Sequence, residues 1–501
     1  MTGSLHRRRS SVFDALHRHF GEKNIAAAGR AAVRLQTALD RHAAGRLPPV
    51  VLLAYGGGKD SSYMVAFVRL VQLLLHAEGK RAPRLRILTN RHVGMPVAVL
   101  ENIDRAYRAL ELYDDPEVEL LIVEGDVISE FRVDRPMPRQ LVERNRLDVL
   151  MTGHRCHGEG RPTFCNACNL SMVSAFALGA RHDGGVDLVI TGDSADEQRA
   201  YLAWVNRMSR KLGADGPRPR DFTTFVEAVG TISDRYFLDI YGGPATLSEG
   251  AAGPSMGTPG FFSIYADTAY ESGEHWSVLT GLLDFVFDDL AFSFTESDCA
   301  NPALMAHLRG LRAEHVLGAA YQTGLAEYVA FATRMMRAKR FPEHLVATML
   351  ERYATPAGVA AMRETISSYA RDAHGLDENQ LICLVHSPLA GRGRYLDRYL
   401  RSEPGGLRPA HAPAIHALLD GTHAPVGDTA ALAAELESVS GLELRWLRTL
   451  YHAEHAAPAP GQLIPPVTPI GQLLAGDPHK DVVVVPGRPG EAPTQTLITG
   501  R

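Results

Sequence analysis

The chain has 501 residues, 45% hydrophobic and 22% charged, and its 52 Lys and Arg against 57 Asp and Glu give a formal charge of −5. That is the composition of a globular protein of about two to four domains, and its slightly acidic balance advertises no nucleic-acid partner. Five cysteines, an odd number in so long a chain, argue against a disulfide framework and for a reducing, cytoplasmic compartment, and no apolar run reaches the length of a membrane span, about 18 residues.

The N-terminal run Leu5-His6-Arg7-Arg8-Arg9-Ser10-Ser11 is basic with no apolar segment behind it, which excludes a secretory signal. It reads as a solvated helix end, with an organelle transit peptide as the alternative. Ile25 to Ala44 has helical periodicity and would end at Gly45 and Pro48-Pro49. A catalytic core is expected to begin there. Val50-Ala54 is a continuous apolar run of the kind found in a strand buried on both faces. It leads into Gly56, Gly57, Gly58, Lys59, Asp60, Ser61 and Ser62, and then into an apolar helix to about His76. A strand, a glycine turn and a helix start present backbone N–H groups and a positive helix end to an anion, most simply the phosphates of a nucleotide. A Walker loop is excluded: Leu53 stands where its first glycine belongs, and Asp60 where its Ser or Thr follows the lysine.

Further along, Leu85-Thr89 is expected as a second strand, Val97-Leu112 as its crossover helix and Val118-Val123 as a third strand. Leu170-His182 follows as a helix and Val186-Thr191 as a fourth strand. This alternation predicts an α/β fold: a parallel, doubly wound sheet covered on both faces, with ligands at the carboxyl ends of its strands. Between the third and fourth strands lies Cys156-His157 followed by Cys165-Asn166-Ala167-Cys168, so three of the five cysteines fall within thirteen positions. Cys-x-x-Cys spacing suits zinc, an iron–sulfur cluster or a redox pair, and spacing alone does not separate them. After the fourth strand comes Thr191-Gly192-Asp193-Ser194-Ala195-Asp196-Glu197-Gln198, whose acids, with Asp60, suit Mg2+ beside a triphosphate. Cys299 precedes an Asn301-Pro302 turn and a helix Ala303-Leu317, whereas Cys383 in Leu381-Val385 reads as a small buried hydrophobe.

Gly57-Gly58-Lys59-Asp60-Ser61 resembles the Ser-Gly-Gly-x-Asp-Ser signature of the PP-loop ATP pyrophosphatases, within the adenine nucleotide alpha hydrolase-like superfamily, with Gly56 in place of the leading Ser. Thr191-Gln198 resembles the Thr-Gly-His-x-Ala-Asp-Asp-Gln segment of the same enzymes, with Asp193 for the His and Glu197 for the second Asp. The order of phosphate loop, Cys-x-x-Cys, Ala-Asp motif and distant cysteine is similar to that of tRNA 2-thiocytidine synthetase-like proteins. The resemblance implies ATP and Mg2+ held by Gly56, Gly57, Gly58, Lys59, Asp60, Ser61, Ser62, Gly192, Asp193 and Asp196. It also implies a four-iron four-sulfur cluster on Cys165, Cys168 and Cys299, while Cys156 or His157 completing a Zn2+ site remains the alternative.

The implied chemistry is adenylation of a substrate oxygen, with Lys59 and Asp60 at the departing pyrophosphate and Cys165 and Cys168 at the incoming sulfur. Replacement of oxygen by nitrogen, in an amidotransferase or amide ligase with a structural metal, is the second reading. A nucleotide-binding protein without turnover is the third. A sulfur or ammonia donor protein is an expected partner, and a small molecule is preferred to tRNA as substrate.

The chain divides on this reading into an N-terminal helical extension (1–45), the ATP-binding domain (46–245), a loop and helical substrate-site region (246–355), a helical accessory domain (356–456) that shapes substrate or forms a homo-oligomer, and a Pro-rich tail (457–501) with one apolar run, Val482-Val485. Arg207-Arg220 is expected as a solvated, turn-rich surface, Gly242-Gly260 as a mobile loop, and Glu327-Arg340 as an amphipathic helix with a basic end.

Overall fold

The structure is a computed structural model describing residues 2–43, 47–192, 195–212, 219, 221–242, 258–268, 276–288, 290, 299–338, 341–456, 468–476, 480–485 and 494–499. Its first half is built as α1 (Thr2–His42), β1 (Val50–Ala54), α2 (Lys59–Ala77), β2 (Arg84–Asn90), α3 (Val97–Ala109), β3 (Val118–Glu124), β4 (Val127–Glu130), α4 (Arg139–Arg155), α5 (Gly160–Phe164), α6 (Asn166–Arg181), β5 (Leu188–Ile190), α7 (Ala195–Lys211), α8 (Phe222–Tyr241) and β6 (Gly260–Phe261). The strands form one six-stranded sheet of order β4-β3-β2-β1-β5-β6, parallel throughout except for the β3–β4 hairpin.

The period-two alternation of strand side chains explains why helices cover both faces. Val51 and Leu53 of β1, with Leu85, Ile87, Ile122, Leu188 and Ile190, pack under α1, α2 and α3. Val50 and Leu52 point the other way and join Leu88, Val123 and Val189 beneath Ala175 and Ala180 of α6 and Phe222 of α8. Arg86 breaks the apolar pattern of β2 and is nevertheless buried. Its guanidinium bonds Glu119 at 2.6 Å and the Gly179 carbonyl at 3.1 Å, so the charge is paired and one end of α6 is fastened to the sheet.

The leading helix begins far earlier than Ile25 and breaks only at Gly21, whose φ is 71°. The basic N-terminal run is solvated only in part: His6, Arg7, Ser10 and Ser11 are exposed, while Arg8 and Arg9 meet acids from the segment after α3. Arg8 pairs with Asp114, and Arg9 reaches Asp115 at 2.6 Å and Glu117 at 2.9 Å. Arg69, itself buried, meets the same Asp115 at 2.9 Å. Burial alone would raise the Asp115 carboxyl; the Arg9 hydrogen bond and the Arg69 charge outweigh it and bring the group down to about 2.

Beyond β6 the chain is helical: α9 (Asn301–Leu311), α10 (Tyr321–Ala338), α11 (Glu343–Arg352), α12 (Pro356–His374), α13 (Glu378–His386) and further helices to Leu444–His452. One continuous apolar core joins Leu150, Met151 and Phe164 to Leu304, Ile366, Leu384, Leu419 and Leu450, so the C-terminal helices pack on α4, α5 and α9. Within Arg207-Arg220, residues 207–211 are the helical end of α7, with Arg207, Arg210 and Lys211 exposed and Met208 buried in the core. Residues 213–218 and 220, most of Gly242-Gly260, and Lys339-Arg340 lie outside the described residues. Val482-Val485 belongs to β7 (Lys480–Val485), which pairs antiparallel with β8 (Thr494–Thr499). No helix among the described residues is long and apolar enough to cross a membrane.

Candidate active site

The sheet order reverses at β1: β2 and β3 lie on one side of it, β5 and β6 on the other. In an open parallel sheet that reversal leaves a crevice beyond the carboxyl ends of the two strands concerned. Here it falls between Ala54 and Ile190, where the glycine turn and the Thr191-Gly192 turn begin. The two turns touch. A Cβ on Gly192 would stand 3.1 Å from the Ser61 Cα and 3.2 Å from its N and Cβ, so only glycine allows this approach without displacing the first turn of α2.

The glycine turn is shaped from within. Gly57 has φ 81°, and a Cβ there would lie 2.7 Å from Val99 and 2.9 Å from Ile103, so it turns the chain over α3 where no side chain fits. Gly58 is the N-cap of α2 and offers no side chain to the helix amides. The carbonyl of Gly58 accepts from the Ser62 N–H at 2.9 Å, the Ser62 hydroxyl at 2.9 Å and the Ser61 hydroxyl at 3.1 Å. The Ser62 hydroxyl also meets the buried Tyr55 hydroxyl at 3.0 Å, which ties the end of β1 to the start of α2. Gly56, Gly58, Asp60 and Ser61 remain half-buried at the surface of the crevice. The Lys59 side chain is buried along its length and its ammonium pairs with Asp60 at 2.5 Å. A cation and a carboxylate therefore stand together at the mouth of a turn rich in amides, the combination that a phosphate chain with its metal ion requires. The Tyr265 hydroxyl lies 3.5 Å from the Asp60 carbonyl.

The cysteine segment comes to the same edge of the sheet by another route. Cys165 is the junction of α5 and α6, ending one helix and capping the next. Asn301, first residue of α9 and buried, points its amide at the Phe164 carbonyl (3.4 Å) and the Cys165 sulfur (3.7 Å). Cys299, buried, is two residues before it, so Cys165 and the Cys299-Asn301 turn converge across 136 positions of sequence. This pair is anchored to the loop after β2: Ala300 N–H donates to the Gly94 carbonyl at 3.1 Å, the Tyr369 hydroxyl donates to the same oxygen at 2.7 Å, and a Cβ on Gly94 would collide with Asn301 Oδ1 at 2.6 Å. His374, held by Asn145 at 2.9 Å and packed on Phe164, completes the neighbourhood. Burial, with a smaller contribution from His92, drives its imidazole down to about 3.

Cys156 is placed differently. It ends α4 inside the helical core, and burial pushes its thiol up to about 12. Cys383 is the buried hydrophobe its sequence suggests. Asp193 and the side chains of Cys168 and Asp196 lie outside the described residues. Among the described residues no three His, Cys, Asp or Glu side chains gather as a set of metal ligands. His92, Gly94, Asn145, Tyr265 and His374 carry no motif. The one signal for His92 and Gly94 was their position directly after a predicted strand, where an open sheet presents its ligand-facing loops.

Comparison with family models, with curated proteins and with solved structures returns no match. What the fold and site define is a class: an α/β protein with a mostly parallel six-stranded sheet, a glycine turn at its switch point and a large helical C-terminal region.

Proposed function

We propose that the chain is an ATP-dependent adenylating enzyme of the PP-loop type, which splits ATP to AMP and pyrophosphate, activates a substrate oxygen and replaces it with sulfur. One observation carries this reading: the backbone approach of Gly192 to Ser61, which joins the two motifs at the switch point of the sheet. The amides of the first turn of α2 and the Lys59 ammonium stabilise charge on the departing pyrophosphate. Asp60, with Asp196 and Asp193 of the Thr191-Gln198 motif, would supply carboxylate oxygens for Mg2+. The substrate oxygen attacks the α-phosphate, and a sulfur nucleophile then displaces AMP.

The nearness of Cys165 to the Cys299-Asn301 turn favours sulfur over nitrogen as the incoming atom. Cys165, Cys168 and Cys299 would hold a four-iron four-sulfur cluster, whose open iron supplies a place for hydrosulfide. A Zn2+ site on the same thiols belongs to the nitrogen-transfer reading. The cluster does not require Cys156, whose raised thiol suits the apolar core it lies in, whereas the Zn2+ alternative takes its fourth ligand from Cys156 or His157. The preferred substrate is a small molecule, in keeping with the acidic chain.

Asp60→Ala is expected to abolish pyrophosphate release while leaving the unfolding temperature within a few degrees of wild type. Pyrophosphate release at an undiminished rate in that variant would remove this mechanism.

A further inference from the structure

A second cluster of donors stands apart from the glycine turn, where the α4–α5 connection, the segment after α13 and the chain beyond Leu444–His452 meet. The rings of His157 and His455 stack at 4.4 Å with 15° between their planes; His157 lies edge-on to Tyr395 at 5.4 Å and His455 tilted to it at 5.3 Å. Each histidine is only 8% exposed. His157 Nε2 has no hydrogen-bond partner among the described residues, whereas the ring nitrogens of His455 face the carbonyls of Arg155 and Ala390. Buried ring nitrogens are ordinarily satisfied, and a group left without a partner calls for an explanation. Nearby, His386 is 1% exposed and both its nitrogens are unpartnered as well.

Charge accumulates on the same spot. Arg394 and Arg398 lie over the Tyr395 ring at 5.7 Å and 4.8 Å. Arg398 donates only weakly to the His386 carbonyl, at 3.4 Å, and its buried Nε has no partner. Neither arginine has a carboxylate within ion-pair distance among the described residues. Two acids of this neighbourhood are engaged elsewhere: Glu159 with Arg309 at 3.1 Å and Arg312 at 3.9 Å, and Asp239 with Arg155 at 3.1 Å. Gly391, Arg392 and Gly393, with φ of 59°, 58° and 71°, turn the chain sharply so that Arg394 and Tyr395 cover the histidines. The Gly391 N–H is fixed to the Ala453 carbonyl at 2.8 Å, and Ala456 N–H to the Arg155 carbonyl at 2.8 Å, so the three segments are fastened to one another.

We propose that Arg394 and Arg398, with His157 behind Tyr395, form a binding site for a small oxyanion, a phosphate or a carboxylate group. Two guanidinium forks without a carboxylate partner among the described residues offer charge-assisted hydrogen bonds to its oxygens, and the His157 ring behind them gains the partner its Nε2 lacks. Burial deepens from the exposed Arg394 through the half-buried Tyr395 to the buried His157 ring. The site uses no residue of the glycine turn and stands independently of the nucleotide reading.

The test is calorimetric titration of the full chain with inorganic phosphate and, separately, succinate at constant ionic strength. Wild type, Arg394→Gln, Arg394→Gln/Arg398→Gln and Lys59→Ala are compared, the single exposed substitution serving as the variant least able to disturb folding. Saturable binding of either anion that weakens at least about tenfold in the double variant, less in Arg394→Gln, and persists in Lys59→Ala supports the site, and the anion that binds names its chemistry. No saturable binding of either anion to wild type, or binding lost only in Lys59→Ala, overturns it.

Discussion

Gly192→Ala is the substitution that bears most directly on the meeting of the two turns. The Gly192 backbone is not left-handed, so the variant tests space alone. The new Cβ would sit 3.1–3.2 Å from three atoms of Ser61, two of them main chain, and a helix turn bonded at Ser62 N–H to Gly58 O cannot rotate away as a long side chain would. A displacement of a few tenths of an ångström therefore falls on the first turn of α2. Overpacking of this kind costs about 1–3 kcal/mol. If half of the upper figure is expressed at the amides facing a phosphate, nucleotide affinity falls roughly tenfold, since about 1.4 kcal/mol is one decade. Gly230→Ala, in the interior of α8 with nothing within 4 Å of the added Cβ, is the control and should be neutral or gain about 0.5–1 kcal/mol. Urea unfolding and calorimetric titration with Mg·α,β-methylene-ATP read the two quantities. A Gly192→Ala protein with wild-type stability and wild-type nucleotide affinity would refute the reasoning.

Two further outcomes follow from other parts of the molecule. Burial, only partly offset by Arg144, raises the Asp148 carboxyl to about 6, and Tyr241 donates to it. The folded state therefore binds this proton more tightly than the unfolded chain, so stability falls as pH rises from about 4 through 6. Asp148→Asn, which keeps an acceptor for Tyr241, should add about 2 kcal/mol at pH 7.5 and almost nothing at pH 3.5; urea unfolding with an equal gain at both values would contradict this. For the cysteines, protein purified without oxygen should be brown with about four irons per chain, and Cys165→Ser should bleach it while nucleotide binding survives. A colourless protein with one zinc would move the transferred atom from sulfur to nitrogen.

The elements that were legible in the sequence are those whose burial is uniform. Val50-Ala54 is apolar at every position because both faces of β1 are covered, and its bounds in the structure are those the sequence implied. β2, α3 and β3 fall within three residues of expectation at each end. By contrast, β4 is a four-residue hairpin strand whose side chains are all partly or fully exposed, leaving no hydrophobic signature. α4 carries charges around its circumference because its first half faces outward while its last turns enter the helical core. α8 contains Gly230 and several β-branched residues, which weaken helical propensity, and forms because Val229, Ile232, Tyr236 and Ile240 are buried.

The site divides in the same way. Local geometry, a strand running into glycines and a helix, could be read directly from residues 50–62. The joining of Cys165 to Asn301 depends on α5 packing against α9, and the stacking of His157 on His455 brings together residues 298 positions apart. Neither leaves a trace in spacing. Arg9 was equally opaque: its partners Asp115 and Glu117 are on the far side of the first two strands in sequence, so a docked arginine and a solvated one look alike until the chain is folded.

The central claim is that the glycine turn of β1 and α2 holds the phosphates of ATP. Titration of the full chain with Mg·α,β-methylene-ATP, which needs no knowledge of the acceptor substrate, tests it most directly. The account predicts one saturable site per chain, weakened more than about tenfold in Lys59→Ala with little change in unfolding temperature. Absence of saturable binding in wild type, or equal affinity in Lys59→Ala, would contradict it.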